Sequence, residues 1–558
     1  MVVSLKQRVN KILADSYKYP IVIVYSGVAD IGKNSYLIVQ NGKILIVDFG
    51  IGFPDISAYG IQGFIPNVEF FELVKNNIAG IVLTHAHLDH VGGLEYLLQA
   101  LPNNIAFYGS RFTIEFISEK LKRIKKEKNL KFNIVNSGDL VKIKNFEVNF
   151  AHVTHSIPHS MMVGVNTRFG KIVYTGDYKF DDTPINERPT DIHIIEKWAR
   201  QGILGALLDS TNAFEQGHSK SETAIMGVLE KIISESHGRV IIGMFSSLVS
   251  RMIGIIEIAK KLNKKVAFTG RSMEQNIKIA KRIGYLVADR DVIIPISEIS
   301  KYDDKQVVIL ATGSQGEHMA ALTRMARGKH EKVKLKSTDT VILSASVIPT
   351  NVVDVQQLMD LLAYTGVRVI NSKLMDVHVS GHAYQEEMVE MAYLLKAKYY
   401  IPVHGYPSFL FQHKRLLVEN GISSNKIFVP TEGAVYAFPN GRLVTRKKLD
   451  IYPYAIVDNT LLSSHDPLLE NRKVLGANGI IVLTLQGRIL KNVMCIGVFP
   501  KAKKNKFRKE ILSYVNSLLK QKFIVDNVKI TTHIIQGLAR FLSKEYNISP
   551  LIKVNYIR

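Results

Sequence analysis

The chain has 558 residues, 46% of them hydrophobic and 22% charged. At about 150 residues per domain this predicts three or four domains, and the balance excludes a largely disordered chain, a collagen and a simple coiled coil. Lys and Arg number 72 against 49 Asp and Glu, a formal charge of +23, which favours a polyanionic partner because phosphates draw basic surfaces at long range.

Cys495 is the single cysteine, so a disulfide framework and a Cys-based zinc ribbon are excluded. Any metal site must use His and carboxylates. The first residues, MVVSLKQRVNKILADSYKYP, carry no secretory signal pattern. No stretch approaches the length of about 18 apolar residues that a spanning helix needs. The expectation is a cytoplasmic protein with no membrane partner.

In chain order, IVIVYSG, NSYLIVQNG and KILIVDFG read as short strands, with Asn41-Gly42 as a hairpin turn. IAGIVLTHAHLDH, NNIAFYG, FEVNFAHVTH and KIVYTGDYKF follow, strands that end in His- or Asp-bearing loops. From about residue 222 strand-like runs alternate with helical ones, from GRVIIGMF through KKVAFTG, QVVILATGS and DTVILSAS to VRVIN. That rhythm predicts parallel strands with crossover helices. Three of these strands end in Gly or Ser, at Gly270-Arg271-Ser272, Gly313-Ser314 and Ser344-Ala345-Ser346. Such loops either turn tightly or hold phosphate with backbone N–H groups. From about residue 450 a third unit begins, with strands NGIIVLTLQ and NVMCIGVFP and helices near 506–521 and 531–545. Segments 118–131 and 501–522 are strongly basic and read as solvated helix faces.

The decisive string is Thr84-His85-Ala86-His87-Leu88-Asp89-His90. It follows an apolar strand and precedes a helix. Extended backbone throws His85 and His87 to one side, and the turn into the helix brings Asp89 and His90 to a second point nearby. Imidazole and carboxylate are the donors of water-open zinc sites. Further candidates at strand ends are His155, Asp177 and His404. A carboxylate between two ions, such as Asp177, can bridge them. His152 and His159 compete with His155, which is preferred because it opens the loop after FEVNFAHVT.

The series Asp48, HAHLDH, His155, Asp177 and His404 resembles the five motifs of the metallo-β-lactamase fold. The long interval from Asp177 to His404 resembles the β-CASP nucleases, and within them the ribonuclease J family. DIGKNSYL, LLDSTNAF, GRSM, ATGSQGEHMAALTRMA, HVSGHAYQEE, PVHGY and NGIIVLTL carry that resemblance in order along nearly the whole chain. It implies an α/β chain: a metallo-β-lactamase αββα sandwich (1–221 and 373–450), an inserted parallel-sheet β-CASP domain (222–372), and a small α+β C-terminal domain (451–558).

The resemblance further implies a 5′-to-3′ exoribonuclease that also cuts internally, in RNA maturation and decay. His85, His87 and His155 would hold one Zn²⁺ and Asp89, His90 and His404 another, with Asp177 bridging and Asp48 orienting a ligand. Mn²⁺ or Mg²⁺ are alternatives for the same donors. Hydroxide made available by the two metals would attack the phosphodiester. His382 would assist the leaving group, oriented by Asp209. His378, Val379, Ser380, Gly381 and His382 would contact phosphate, with Arg271, Ser272 and Ser314 as further candidates from the inserted domain. The implied partners are single-stranded, 5′-monophosphorylated RNA and copies of the chain in a homodimer or homotetramer, or a paralogue in a hetero-oligomer.

Departures from the family pattern are Ser26-Gly27-Val28-Ala29-Asp30-Ile31-Gly32-Lys33-Asn34 for GGxxEIGKN, HSIPHS for HSIPDS, Ser247-Leu248-Val249-Ser250-Arg251 for SNIHR, and Val347–Val352 for PIPGNE. They bear on RNA path, end preference and assembly. Two rival readings remain at this point: a β-CASP nuclease acting on DNA, and a non-catalytic RNA-binding subunit of an RNA-degrading complex.

Overall fold

A computed structural model describes residues 4–53, 60–287, 291–348, 351–372, 374–498, 504–520, 527–546 and 548–557. Residues 349–350 of the PIPGNE-like stretch, the end of NVMCIGVFP and parts of the 501–522 basic run lie outside the described residues. Contacts divide the chain into two compact units. One runs to Pro453 apart from a short segment before Gly63, and the other runs from Tyr454 onward.

Among the described residues the first unit builds three large sheets. An eight-stranded mixed sheet is ordered Val444–Arg446, Ala434–Ala437, Ile21–Ser26, Ser35–Gln40, Lys43–Val47, Ile78–Val82, Ala106–Gly109, Lys131–Ile134. Asn41 and Gly42 turn its hairpin with φ of 51° and 69°, the left-handed pair that suits strand twist. A six-stranded sheet is ordered Tyr399–Val403, Ile203–Asp209, Gly170–Tyr174, Met161–Thr167, Phe146–His152, Leu140–Ile143. Val22, Val24 and Leu45 of the first sheet share one core with Val148, Phe150, Val163 and Leu207 of the second. Helices cover the outer faces: Phe70 and Phe71 pack on Tyr25 on one side, and Trp198, Met388, Met391 and Leu417 fill the other. This is an αββα sandwich.

The register of the second sheet closes the site. Ile203–Asp209 lies parallel to Tyr399–Val403 with Asp209 opposite Val403, so His404 emerges beside Asp209. The chain between these two strands builds a third sheet of six parallel strands, ordered Ile293–Ile294, Lys265–Thr269, Val307–Ala311, Val240–Gly243, Thr340–Leu343, Arg368–Asn371. Strands Val240–Gly243 and Val307–Ala311 are buried throughout, as the apolar runs VIIG and VVILA require of a sheet covered on both faces. Helices Glu222–Glu235, Val249–Lys261 and Arg271–Arg282 cover one face. Ala321–Ala326 and Val352–Tyr364 cover the other. Arg271 and Ser272, read from sequence as loop residues, stand instead in the first turn of a helix.

The second unit carries a hairpin, Tyr454–Val457 with Thr460–Ser463. Its other sheet is ordered Ile489–Ile496, Ile480–Gln486, Leu551–Tyr556. Helices Lys504–Leu519 and Asn527–Tyr546 bury Ile511, Val515, Ile534 and Leu538 on that sheet. The third strand, Leu551–Tyr556, was not expected from the sequence. No helix among the described residues is long and apolar enough to cross a membrane.

Candidate metal centre

The strand Ile78–Val82 delivers Thr84 and His85 to the end of the first sheet, and His87 caps the short helix Leu88–Val91. That break in direction sends the two halves of HAHLDH to two points. Ligand atoms of His85, His87, His155 and Asp177 all lie within 4.8 Å of one another, and so do those of Asp89, His90, Asp177 and His404. A third overlapping group, Asp177, Asp209, His382 and His404, meets the same limit.

Hydrogen bonds at the back of the site fix which lone pairs face forward. Thr84 Oγ1 donates to Asp48 Oδ2 at 2.7 Å and therefore accepts from His85 Nδ1 at 3.0 Å. His155 Nδ1 donates to the Gly381 carbonyl at 2.7 Å. Both rings then turn unprotonated Nε2 atoms toward His87 Nδ1, at 3.1 and 3.0 Å. Burial, with neighbouring histidines, holds His85 below its ordinary range, His87 at about 3 and His155 well down, so the three rings stay neutral. Two lone pairs thus converge on His87 Nδ1, which has at most one proton to offer, and a cation among the three nitrogens would satisfy them all.

The other group is carboxylate-rich. His90 Nδ1 donates to Asp48 Oδ2 at 2.8 Å, which points Nε2 at Asp177 Oδ2, 3.2 Å away. His404 Nε2 lies 3.3 Å from Asp89 Oδ2. Burial opposes charge here, yet Asp177 and Asp89 pull His90 well up and His404 up to about 10. These carboxylates demand positive charge. His87 Nε2 is buried without a hydrogen-bond partner among the described residues, while Asp177 Oδ2 and His404 Nε2 make no well-formed hydrogen bond and have only ion-pair neighbours, the nearest at 3.2 and 3.3 Å; a buried polar group left unpaired costs roughly 1–3 kcal/mol. The donor set fits a pair of divalent ions. Asp48 and His404 also sit in left-handed backbone, with φ of 59° and 56°, a strain seen where surrounding structure over-determines a site.

Beside the ligand groups, His382 Nδ1 donates to Asp209 Oδ2 at 2.8 Å. Asp209 Oδ1 accepts from Thr211 N and Oγ1 at 2.9 and 2.7 Å. Burial would raise the Asp209 carboxyl, but the His382 charge overrides it and holds the group low. The same carboxylate, with Asp177, draws His382 upward against its own burial. Asn212 Nδ2 donates to Ser380 Oγ at 2.8 Å and to the His382 carbonyl at 3.0 Å, which ties the loop 378–382 to the strand end at Asp209.

The structure thus brings His85, His87, Asp89, His90, His155, Asp177 and His404 together, with Asp48 behind them and His382, Asp209 and the 378–382 loop alongside. It does not bring in all the candidates of the inserted sheet. Arg271 and Ser272 are exposed, Ser314 is 4% exposed, and no hydrogen bond or ion pair among the described residues joins any of them to 378–382. His152 turns away, its Nε2 bonded to the Arg188 carbonyl at 2.9 Å. His159 packs on Tyr285. Sequence reasoning missed Thr84, Asn34 and Arg251. Asn34 Nδ2 lies 3.2 Å from His90 Nε2, and its signal was present in the string DIGKNSYL.

Three family models match along the chain: the metallo-beta-lactamase superfamily at residues 29–234, the ribonuclease J beta-CASP domain at 237–362, and the Zn-dependent metallo-hydrolase RNA specificity domain at 368–430. Ribonuclease J2 of Bacillus subtilis is 34% identical over 83% of this chain and 83% of its own length. Ribonuclease J of Synechocystis is 30% identical over 95% of this chain and 85% of its own length. The chain belongs to the ribonuclease J family. Ribonuclease J of Helicobacter pylori is 35% identical over 73% of this chain, and the chain spans 59% of that relative's length. A solved structure from Enterococcus faecalis, a protein of unknown function, superposes with a TM-score of 0.52 at 16% identity, over 75% of this chain and 100% of its own. That likeness speaks to fold alone. The fold here is a metallo-β-lactamase domain followed by β-CASP and RNA-specificity segments.

Proposed function

We propose that this chain is a metal-dependent ribonuclease that shortens single-stranded RNA from its 5′ end and also cuts internally, in RNA maturation and decay. The observation that carries the reading is Asp177, one carboxylate common to two His/Asp groups, with the His382–Asp209 pair beside it. His85, His87 and His155 would hold one ion, Asp89, His90 and His404 the other, and Asp177 both. Zn²⁺ suits these donors, and Mn²⁺ or Mg²⁺ are the alternatives. When bound, the ions supply a nucleophile at neutral pH and offset charge on the phosphate.

The chain's own groups do the rest. His382, with Nδ1 committed to Asp209, has Nε2 left to pass a proton to the leaving ribose oxygen. Ser380 Oγ accepts from Asn212 and from His382 N, so its hydroxyl proton is available to a phosphate oxygen. Val379 and Gly381 complete this loop. The +23 charge supports a nucleic-acid partner, and the RNA specificity match supports RNA over DNA. A purely structural subunit would have no use for buried donors this closely gathered. We keep the domain division 1–221 with 373–450, 222–372 and 451–558, a cytoplasmic setting and a dimeric or tetrameric assembly as parts of the same proposal.

The test is digestion of end-labelled RNA bearing 5′-monophosphate or 5′-triphosphate, with product sizes read out. Mononucleotide release from the monophosphate end is expected, and His87→Ala or Asp177→Ala should abolish it while RNA binding persists. Cleavage that survives Asp177→Ala under stringent chelation would sink the proposal.

A further inference from the structure

The motif at Ser247–Arg251 departs from the family pattern at three of its five positions but keeps its arginine, and the structure gives that arginine an unusual set of partners. Arg251 is 1% exposed. Its Nη2 and Nε meet Glu222 Oε1 and Oε2 at 2.6 and 3.0 Å, a two-pronged grip that anchors the guanidinium. Nη1 reaches Ser344 Oγ at 3.1 Å and His378 Nδ1 at 2.8 Å. Nη2 also reaches the Val379 carbonyl at 3.3 Å. Ser344 Oγ in turn donates to the Val377 carbonyl at 2.6 Å. One buried cation from the helix Val249–Lys261, which covers the third sheet, therefore clamps the segment 377–379, whose continuation, 380–382, touches Asn212, His155 and Asp209.

A guanidinium offers donors only. At 2.8 Å from Nη1, His378 Nδ1 must accept, and the ring then carries its proton on Nε2. Burial and the adjacent Arg251, with Lys179 adding a smaller push, hold this imidazole well below its ordinary range against the opposing pull of the Ser344 backbone, so it stays neutral. A ring left to itself would exchange tautomers, and in the Nδ1–H form it would turn the Nε2 lone pair toward an anion.

We propose that Arg251, braced by Glu222, is a positioning residue for the phosphate loop: by occupying the Nδ1 lone pair of His378 it keeps that ring as an Nε2–H donor for the terminal phosphate of an RNA 5′ end. The inference rests on the 5′-end reading above. It also assigns the end preference to the inserted domain through Arg251 rather than through Arg271 or Ser272.

Histidine-selective ¹⁵N spectra of the full chain, with His378 assigned by its loss in His378→Gln, test the tautomer without any change at Arg251. His378 should show an unprotonated Nδ1 and a protonated Nε2 from pH 6 to 8. An Nδ1–H ring or an imidazolium would overturn the proposal. The second measurement is kcat/KM on 5′-monophosphate RNA divided by that on 5′-hydroxyl RNA of the same sequence. Arg251→Met combined with Glu222→Gln removes both buried charges together, and melting curves check that this variant folds. The ratio should fall by about tenfold, the weight of one hydrogen bond to a charged group. Adding His378→Gln should lower it no further. An unchanged ratio, or a loss that multiplies when His378 is also replaced, overturns the role of Arg251. If the unmodified chain cleaves no RNA, the functional reading fails, and the ¹⁵N spectra still decide the Arg251–His378 link.

Discussion

His155 donates its Nδ1 proton to the Gly381 carbonyl over 2.7 Å, so a candidate metal ligand and the candidate phosphate loop share a hydrogen bond across 226 positions of sequence. The bond aims His155 Nε2 into the ligand group, and it means that the loop and the metal centre cannot move independently.

Gly381→Ala tests this coupling. A Cβ at position 381 would stand 2.8 Å from His155 Nδ1 and 2.8 Å from Ser156 Cβ and Oγ. The loop must shift, and with it the carbonyl that orients His155. Metal affinity should fall by about 10–100-fold, the usual cost of losing an outer partner of a ligating histidine. Zinc titration of the purified variant reads this directly. Unchanged affinity would show that His155 does not depend on the loop.

Asp48 plays the corresponding part for the other group. It accepts from Thr84 N at 2.9 Å and from His90 Nδ1 at 2.8 Å. In Asp48→Asn the amide cannot accept from Thr84 N, Thr84 Oγ1 and His90 Nδ1 all at once. His90 is then free to turn its proton toward the carboxylates. A loss of metal affinity of about 10–100-fold is expected again. Added Zn²⁺ should raise the melting temperature of this variant less than that of the unmodified chain, since stabilisation follows occupancy. Equal stabilisation at equal metal concentration would count against the role.

Much of this was legible in the sequence because ligands are side chains. HAHLDH concentrates four donors in six residues, and His155, Asp177 and His404 each close an apolar strand run. The parallel sheet was legible because its buried strands are continuous apolar runs separated by helical periodicity. The Gly381 carbonyl was not, since a backbone acceptor leaves no mark on residue identity. Arg251 was hidden for another reason: its partners Glu222, Ser344 and His378 come from three separate segments, and only folding brings them together. Arg271 drew attention by its charge and its Gly-Arg-Ser setting, but the helix that begins there leaves it exposed.

Glu187 gives a pH dependence away from the metal centre. Burial pushes its carboxyl up to about 8, against the backbone N–H of His159 and the charge of Arg188. That N–H donates to Glu187 Oε1 at 2.5 Å. The folded value lies above the unfolded one, so between about pH 4.5 and 8 the folded chain binds more protons than the unfolded chain, and stability contributed by this group falls as pH rises. The melting temperature of the unmodified chain should drop more steeply from pH 6 to 8 than that of Glu187→Gln. Parallel slopes would mean that the carboxyl titrates at its ordinary value.

Asp209→Asn separates orientation from metal binding. Asp209 Oδ1 accepts from Thr211 N and Oγ1, and Oδ2 accepts from His382 Nδ1. An asparagine oxygen placed in the same way would stay with Thr211, which can only donate from its backbone N–H, and the amide NH₂ would face His382. Nδ1 must then lose its proton to accept, the remaining proton moves to Nε2, and no carboxylate supports the imidazolium. A group needed to protonate the leaving oxygen becomes a poorer acid carrier without moving. kcat should fall by about 100-fold or more, with KM within about a factor of two, the pattern of a contact that matters only in the transition state. His382→Gln should cost about as much, and the double variant little more than either, because the two residues act as one unit. Additive losses would mean that Asp209 serves catalysis through some partner other than His382, and His404 Nδ1, 3.6 Å from Asp209 Oδ1, is the group to examine next.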